Sequence, residues 1–396
     1  MGTGLFSTDP ARLGTGVTPV PKRAETVENR PVPHMWKTSP MNFSELDRDE
    51  MERALEETGA PGFHGRQIFH WIYRRGVTDF ARMTDLSQAL RADLAGRFTI
   101  ATPQVDSRQT SVDGTTKFLL RLDDGRHIEA VYIPDTPAQT FCISTQVGCA
   151  MGCTFCLTGK MGLLRNLTAG EIAGQVRVLA HETGLASSAF NIVLMGMGEP
   201  LHNYDATMKA LAMINDEQGL GVHPRRVTLS TVGIIPALER LATEPLMPNL
   251  AISLHATTDA DRTRIVPVNR KYHLEDLIEA CKKFPLSKRR RITFEYVLLD
   301  GVNDTPEDAR RLVKLLSGIK AKVNLLPLNA APGIDFGRPS DERVNTFARI
   351  LADRGLIVSV RRSRGRDIRA ACGQLIVEGE RRTSAQRLGA ALNDSN

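Results

Sequence analysis

The sequence predicts an α/β protein built on an incomplete (β/α)6 barrel of parallel strands, preceded by a small helical domain and a β-hairpin linker. Three observations carry this reading. From Phe141 onward, short apolar runs alternate with amphipathic stretches of helical length. Polar residues terminate several of those runs, at the strand ends where barrels gather a site. A cysteine-rich loop, FCISTQVGCAMGCTFCLTGK at 141–160, begins with the first run.

Taken in order, residues 1–40 mix Gly, Pro, Thr and charge without periodicity, the composition of a disordered leader. Between 41 and 100 apolar positions recur at helical spacing: Phe43, Leu46, Met51 and Leu55, then Arg66 to Tyr73 and Leu86 to Leu94, with Gly59 and Gly62 as punctuation. This predicts a helical accessory domain, whose His64, Arg66, Arg74 and Arg75 form a candidate RNA-contacting surface. Residues 101–135 read as a β-rich linker, because the runs in KFLLRLDDGRHIEAVYI flank Asp124 and Gly125, a hairpin signal.

Residues 136–380 then hold the barrel, with strands expected at 141–146, 191–196, 226–230, 249–255, 292–298, 323–328 and near 357–361. Helices are expected at 169–181, 206–216, 236–242, 274–284, 306–316 and 341–353. Thr168, Thr305 with Pro306 at the first helical position, and Ser340 supply helix starts. Residues 381–396 are a tail.

At 396 residues and 41% apolar content, the chain supports one large catalytic domain with an appendage. It has no apolar run of about eighteen residues and no secretory pattern, so a cytoplasmic protein without membrane association is expected. The net charge of +6 is modest, but cations cluster in KRRR at 288–291, at Arg361, Arg362, Arg364 and Arg366, and at Arg225 with Arg226. Such clusters attract a phosphate backbone and point to a nucleic-acid partner.

Four of the six cysteines lie between Cys142 and Cys156, and Cys149, Cys153 and Cys156 stand in the spacing C-x3-C-x2-C. A zinc site would normally present four ligands in paired units, and neither a second C-x2-C nor a nearby His follows. Three thiolates suit an iron–sulfur cluster with one iron left open for a substrate. Gly198 and Glu199 end the second strand in GMGEP, where glycine lets a ligand approach the backbone and Glu199 offers an anion to an ammonium group. Ser230 ends the third strand, Ser253, Leu254 and His255 the fourth, and Asn329 the sixth. Converging on the cysteine loop, these ends predict a cofactor site, although His255 taken alone reads as a satisfied core histidine. Cys281, on an amphipathic helix, reads as a buried apolar residue. Cys372 follows the last strand and should return to the rim.

The C-x3-C-x2-C loop after a first strand resembles the radical S-adenosylmethionine (SAM) superfamily. That resemblance implies a 4Fe–4S cluster on Cys149, Cys153 and Cys156. Its open iron would chelate SAM, and the turn at Gly198 and Glu199 would hold the SAM amino group. The motifs FCISTQVGCAMGCTFCLTGKMGLLRNLTAGEI, MGMGEPLHNYD, LSTVG, ISLHA and RGRDIRAACGQL together resemble the RlmN-type adenosine C2 methyltransferases, of the RlmN/Cfr family, from about Phe43 to Leu375. This implies a partial radical SAM barrel, 23S rRNA and tRNA as partners, an external reductant such as flavodoxin or ferredoxin, and a monomer.

The same resemblance implies that one SAM methylates Cys372, and that a radical from a second SAM activates this methyl group for addition to carbon 2 of adenine. Carbon 2 lies between two ring nitrogens and is too electron-poor to attack SAM directly, whereas a thiolate can. Glu129 matches the proton acceptor, and Cys142 the thiol that forms a transient disulfide with Cys372 to release the product. Methylation of carbon 8 by a relative, and a non-catalytic RNA-binding protein with a structural metal, remain alternatives.

Overall fold

The computed structural model describes residues 40–134, 138–287 and 289–377. The expected leader up to residue 39, Lys288 of the KRRR cluster, and the 381–396 tail lie outside the described residues. The helical segment consists of α1 (Arg48–Glu57), α2 (Phe63–Tyr73) and α3 (Gln88–Arg97). Two short strands bracket it, β1 (Met41–Asn42) and β2 (Phe98–Thr99), which pair in parallel. Asp47 and Glu50 form a reciprocal capping box at the start of α1, satisfying two otherwise orphaned amides. Phe43 stacks on Phe98 at 4.1 Å, locking the two ends of the segment together.

Three antiparallel strands follow: β3 (Gln104–Thr110), β4 (Thr116–Arg121) and β5 (His127–Ile133). The expected hairpin is the β4–β5 pair. It does not stand apart as a linker, because β5 pairs with β6 (Thr140–Cys142) and continues the main sheet. After β6 come β7 (Gln146–Gly148), α4 (Leu157–Met161), β8 (Leu163–Asn166) and α5 (Ala169–Glu182). The chain then alternates through β9 (Asn191–Leu194), α6 (Tyr204–Asn215), β10 (Val227–Thr231), α7 (Ile235–Leu241) and β11 (Asn249–Ser253). It continues with α8 (Asp259–Ile265), α9 (Leu274–Lys283), β12 (Ile292–Leu298), α10 (Pro306–Leu315), β13 (Ala321–Pro327), α11 (Asp341–Ala352) and β14 (Ile357–Val360).

Among the described residues the main sheet has ten strands in the order β14-β13-β12-β11-β10-β9-β6-β5-β4-β3. The seven from β6 to β14 run parallel, and the sheet ends at β14 and β3 without closing, so the barrel is partial as expected. The first strand is shorter than the expected 141–146. Beyond Cys142 the chain leaves the regular ladder: the Ser144 N–H donates to the Gln175 side chain at 2.8 Å, and residues 146–148 pair with β8 in a separate two-stranded sheet.

Local chemistry explains the helices between the strands. Thr168 with Glu171 and Thr305 with Asp308 form capping boxes, and Pro306 occupies a first-turn position where its missing N–H is harmless. Glu275 and Asp276 open α9 while Lys282 and Lys283 close it, matching the helix dipole. One apolar core runs from the helical segment through α5 and α6 to β6 and β9. A second lies between β10–β13 and helices α7, α9, α10 and α11, and Cys281 is buried in it as expected. The helical segment is fastened to α5 by Glu45, which accepts from Thr168 Oγ1 at 2.6 Å and Gly170 N–H at 3.0 Å, and by Arg177, which donates to Ala101 and Thr102.

Candidate active site

The cysteine loop is held like a clip. Strands β7 and β8 pair antiparallel at its base, and the Cys149 N–H donates to the Gly162 carbonyl at 3.1 Å. Gly148 adopts φ +79°, and a β-carbon there would collide with Gly162, so this position admits only glycine. Cys149, Cys153 and Cys156 line one cavity at the carboxyl ends of the parallel strands. Burial pushes all three thiols above their ordinary range, so a set of thiolates here requires a cationic centre. A cluster spreads its ligands over separate irons, and this all-sulfur donor set fits one.

The GMGEP turn lies against β7. Gly198, at φ +105°, passes so close to Gln146 that a β-carbon would come within 2.7 Å of its side chain. Close passage at this turn aims Glu199 inward. Glu199 is buried on the cavity wall, accepting from Leu201 N–H at 3.1 Å and Val232 N–H at 2.9 Å. Burial raises its pKa to about 7, against opposing hydrogen bonds from Thr231 and these amides. Such a carboxyl is primed for a cation, which would draw off its proton.

Ser230, Ser253, His255 and Asn329 share the cavity lining, as the strand ends predict. The hydroxyls of Ser230 and Ser253 are 3.4 Å apart on neighbouring strands. His255 Nδ1 accepts from Val297 N–H at 3.0 Å, which assigns the ring proton to Nε2 in the neutral tautomer. Burial depresses its pKa to about 3, so it enters the site as a neutral donor. It is thus both a satisfied buried histidine and a cavity residue. Leu254 is not brought to the wall: its side chain lies in the apolar core and its carbonyl accepts from Arg262.

The remaining two cysteines of interest influence each other electrostatically. Cys372 is exposed at the junction of the cavity with a groove lined by Arg225, Arg226, Arg362 and Arg364. Cys142 is buried in β6, its thiol pushed up to about 12, first by burial and then by the Cys372 sulfur. Arg361 acts oppositely on Cys142 and lines both the cavity and the groove. Glu129 lies off the cavity wall. Its Oε1 pairs with Lys117 Nζ at 2.8 Å and its Oε2 accepts from Ile376 N–H at 2.8 Å. Burial raises its pKa, and Lys117 limits the rise.

Three residues of this region escaped the sequence reading. Glu295 lines the cavity from β12, where it is the one acid in a strand buried along its whole length, and that lone charge was the available signal. Arg361 was legible only as part of a basic cluster. Arg262, fully buried, donates to the carbonyls of Val232 at 2.6 Å and Leu254 at 3.1 Å and to Asn269 Oδ1 at 2.9 Å. It ties the ends of β10 and β11 beneath the site.

A three-thiolate loop at the carboxyl rim of an open parallel barrel defines a radical SAM enzyme, and residues 143–316 match the family model described as the radical SAM superfamily. Residues 41–100 match the ribosomal RNA large subunit methyltransferase N-terminal domain. The chain is 48% identical over 370 residues to the dual-specificity RNA methyltransferase RlmN of Paracoccus denitrificans, covering 88% of this chain and 94% of that protein. It is 51% identical over 330 residues to RlmN of Geobacter sulfurreducens, covering 83% and 90%. A solved radical SAM methyltransferase from Sphaerobacter thermophilus superposes with a TM-score of 0.81 at 48% identity, covering 85% of this chain and 99% of its own. The chain belongs to the RlmN family of radical SAM methyltransferases.

Proposed function

We propose that this protein methylates carbon 2 of an adenosine in 23S rRNA and of an adenosine beside the tRNA anticodon. It would act as a cytoplasmic monomer with a flavodoxin- or ferredoxin-type reductant. The observation that carries the reading is Cys372, placed where the three-cysteine cavity meets an arginine-lined groove and within the electrostatic reach of Cys142.

When bound on Cys149, Cys153 and Cys156, the 4Fe–4S cluster supplies the electron that cleaves SAM. Glu199 accepts the SAM ammonium, and Ser230, Ser253 and Asn329 offer hydrogen bonds to its hydroxyls and carboxylate. His255 Nε2–H faces the same cofactor. Cys372 thiolate attacks the methyl carbon of one SAM, forming a sulfur–carbon bond as the sulfonium S–CH3 bond breaks and S-adenosylhomocysteine leaves with its electron pair. Once that carbon is joined to the adenine, Glu129 takes the proton lost from carbon 2. Cys142 thiolate then bonds to the Cys372 sulfur as the Cys372 sulfur–carbon bond breaks; the carbon keeps that electron pair and takes up a proton, which releases the methylated base.

Arg225, Arg226, Arg362 and Arg364 hold the flanking phosphates, and the target base must leave its stack to reach the cavity. The test is anaerobic reconstitution with iron, sulfide, reductant and SAM, followed by nucleoside analysis of RNA. 2-Methyladenosine is expected. 8-Methyladenosine, or a protein that never consumes SAM, would overturn the assignment.

A further inference from the structure

The barrel lumen carries a polar row to which the mechanism above gives no task beyond Ser253. Ser253, Glu295, Asn324 and Ser359 are register partners across the adjacent strands β11 to β14. Ser359 Oγ donates to Asn324 Oδ1 at 2.6 Å, and Asn324 Nδ2 donates to Glu295 Oε1 at 2.9 Å. The chain of bonds stops there. Among the described residues Oε2 of Glu295 has no hydrogen-bond partner, although the residue is only 5% exposed and the Arg361 guanidinium attracts its charge. A buried acceptor held by its neighbours and left unmet on a cavity wall is open to a donor from a ligand.

Position identifies the ligand. Glu295 lines the cavity that holds Cys372, and it also lines a second opening, at the amino ends of the strands, with Arg225, Arg289, Arg290, Arg291 and Lys322. Among the described residues lining that opening, Glu295 is the only acid. The cations suit phosphates, which a carboxylate repels, so Glu295 serves some other part of the same molecule. A carboxyl oxygen accepts N–H donors, and on a purine the donor that separates adenine from guanine or hypoxanthine at position 6 is the exocyclic amine. Anchoring that amine leaves carbon 2, across N1 on the same edge of the ring, free to meet the group on Cys372.

We propose that Glu295 is a specificity-determining residue that accepts a hydrogen bond from the 6-amino group of the base to be methylated, held in register by Asn324 and Ser359. This rests on the RNA-methylating function proposed above. Removing a hydrogen bond to a charged or buried partner weakens the transition state roughly 10- to 100-fold. A 6-oxo purine, which presents an acceptor to an acceptor, would be rejected further.

The test uses the anaerobically reconstituted full chain and a stem-loop RNA with one target adenosine, against the same RNA carrying purine riboside, which lacks the 6-amino group. Wild-type kcat/KM should fall roughly 10- to 100-fold on purine riboside. Glu295→Ala should lose that preference, handling both RNAs equally poorly. Glu295→Gln, which keeps an acceptor oxygen, should retain it. SAM-dependent methylation of Cys372, read by mass before RNA is added, should be unchanged in both variants. The proposal is overturned if wild-type enzyme does not distinguish the two RNAs or if Glu295→Ala keeps the wild-type preference. It is also overturned if Cys372 methylation demands more SAM in the variants, which would put Glu295 on the cofactor. A wild-type enzyme that methylates Cys372 yet no RNA overturns the parent function and this proposal with it.

Discussion

Replacing Glu199 by Gln tests whether its carboxylate is the SAM ammonium partner, and the magnitude follows from the carboxyl's surroundings. Burial lifts its pKa from 4.5 to about 7, and at about 1.4 kcal/mol per unit this amounts to roughly 3 kcal/mol. The sign is fixed by linkage: the folded protein keeps this proton longer than the unfolded chain. Glu199 therefore contributes stability that is complete below about pH 4.5 and is lost as pH rises through about 7. In protein prepared without cluster, urea unfolding at successive pH values should show Glu199→Gln gaining up to about 3 kcal/mol on wild type between pH 4.5 and 8. In reconstituted enzyme the order reverses, because the variant lacks the anion that an ammonium requires. SAM affinity by calorimetry should fall roughly 10- to 100-fold at pH 8. The gap should narrow at pH 6, where the free carboxyl is largely protonated. Equal SAM affinity for both proteins at pH 8, with matched iron content, would refute the reasoning.

Further outcomes follow from the same geometry. Cys372→Ala should abolish RNA methylation while iron and sulfide content stay at wild-type levels; residual methylation would exclude a cysteine-borne methyl group. Cys142→Ala should accumulate a covalent protein–RNA adduct visible on a denaturing gel, and free product without adduct would remove Cys142 from the release step. Arg262→Leu removes the donor shared by the carbonyls of Val232, Ser253 and Leu254 and leaves Asn269 Oδ1 without its own, so urea unfolding should report a loss of about 3–5 kcal/mol. Gly198→Ala forces a β-carbon against Gln146 at a positive φ, and should weaken SAM binding with a stability loss of about 1–3 kcal/mol.

The alternation of strand and helix was legible because apolar runs, caps and breakers agreed: Thr168, Thr305 with Pro306 and Ser340 each start the helix that the sequence assigns to them. Elements lacking an apolar signature were not legible. Strand β3 is largely exposed, and pairing with β4 rather than alternation makes it a strand. Helix α8, DADRTRI, reads as polar surface, yet Arg262 within it is fully buried because backbone carbonyls of two other loops require a donor there. Of the site, the cluster loop and the strand-end residues were visible in spacing and position. Leu254 was visible in the same way, but alternation along the chain turns its side chain into the core. Glu129 was legible as a residue of the second hairpin strand, but its surroundings were not, since its contacts come from Lys117 and from Ile376, 247 residues further along.

Those distant contacts bear on how one sulfur can serve two partners. The chain after Cys372 is tied down at every step: Gly373 O accepts from Leu157 N–H at 2.8 Å, and Leu375 O from Thr158 Oγ1 at 2.6 Å. Gln374 donates to Ala330 O at 3.2 Å, and Ile376 N–H is held by Glu129. Two of these anchors belong to the helix that directly follows Cys156, so the Cys372 turn is set relative to the cysteine loop rather than to the barrel at large. Cys372 itself sits at the exposed tip, beside Gly373 at φ +78°. Fixed flanks and a free tip confine its travel to side-chain rotation, and a thiol with so short a reach can exchange partners only if both stand ready beside it. The buried Cys142, within electrostatic reach of Cys372, and the three-cysteine cavity that Cys372 lines are the two partners so offered. Loosening an anchor should therefore harm the release step, which needs Cys142 and Cys372 in register, more than the loading of Cys372 with a methyl group. In Thr158→Val, Cys372 methylation should persist while turnover falls and protein–RNA adduct builds up; equal loss of both steps would show that the anchor merely holds the fold.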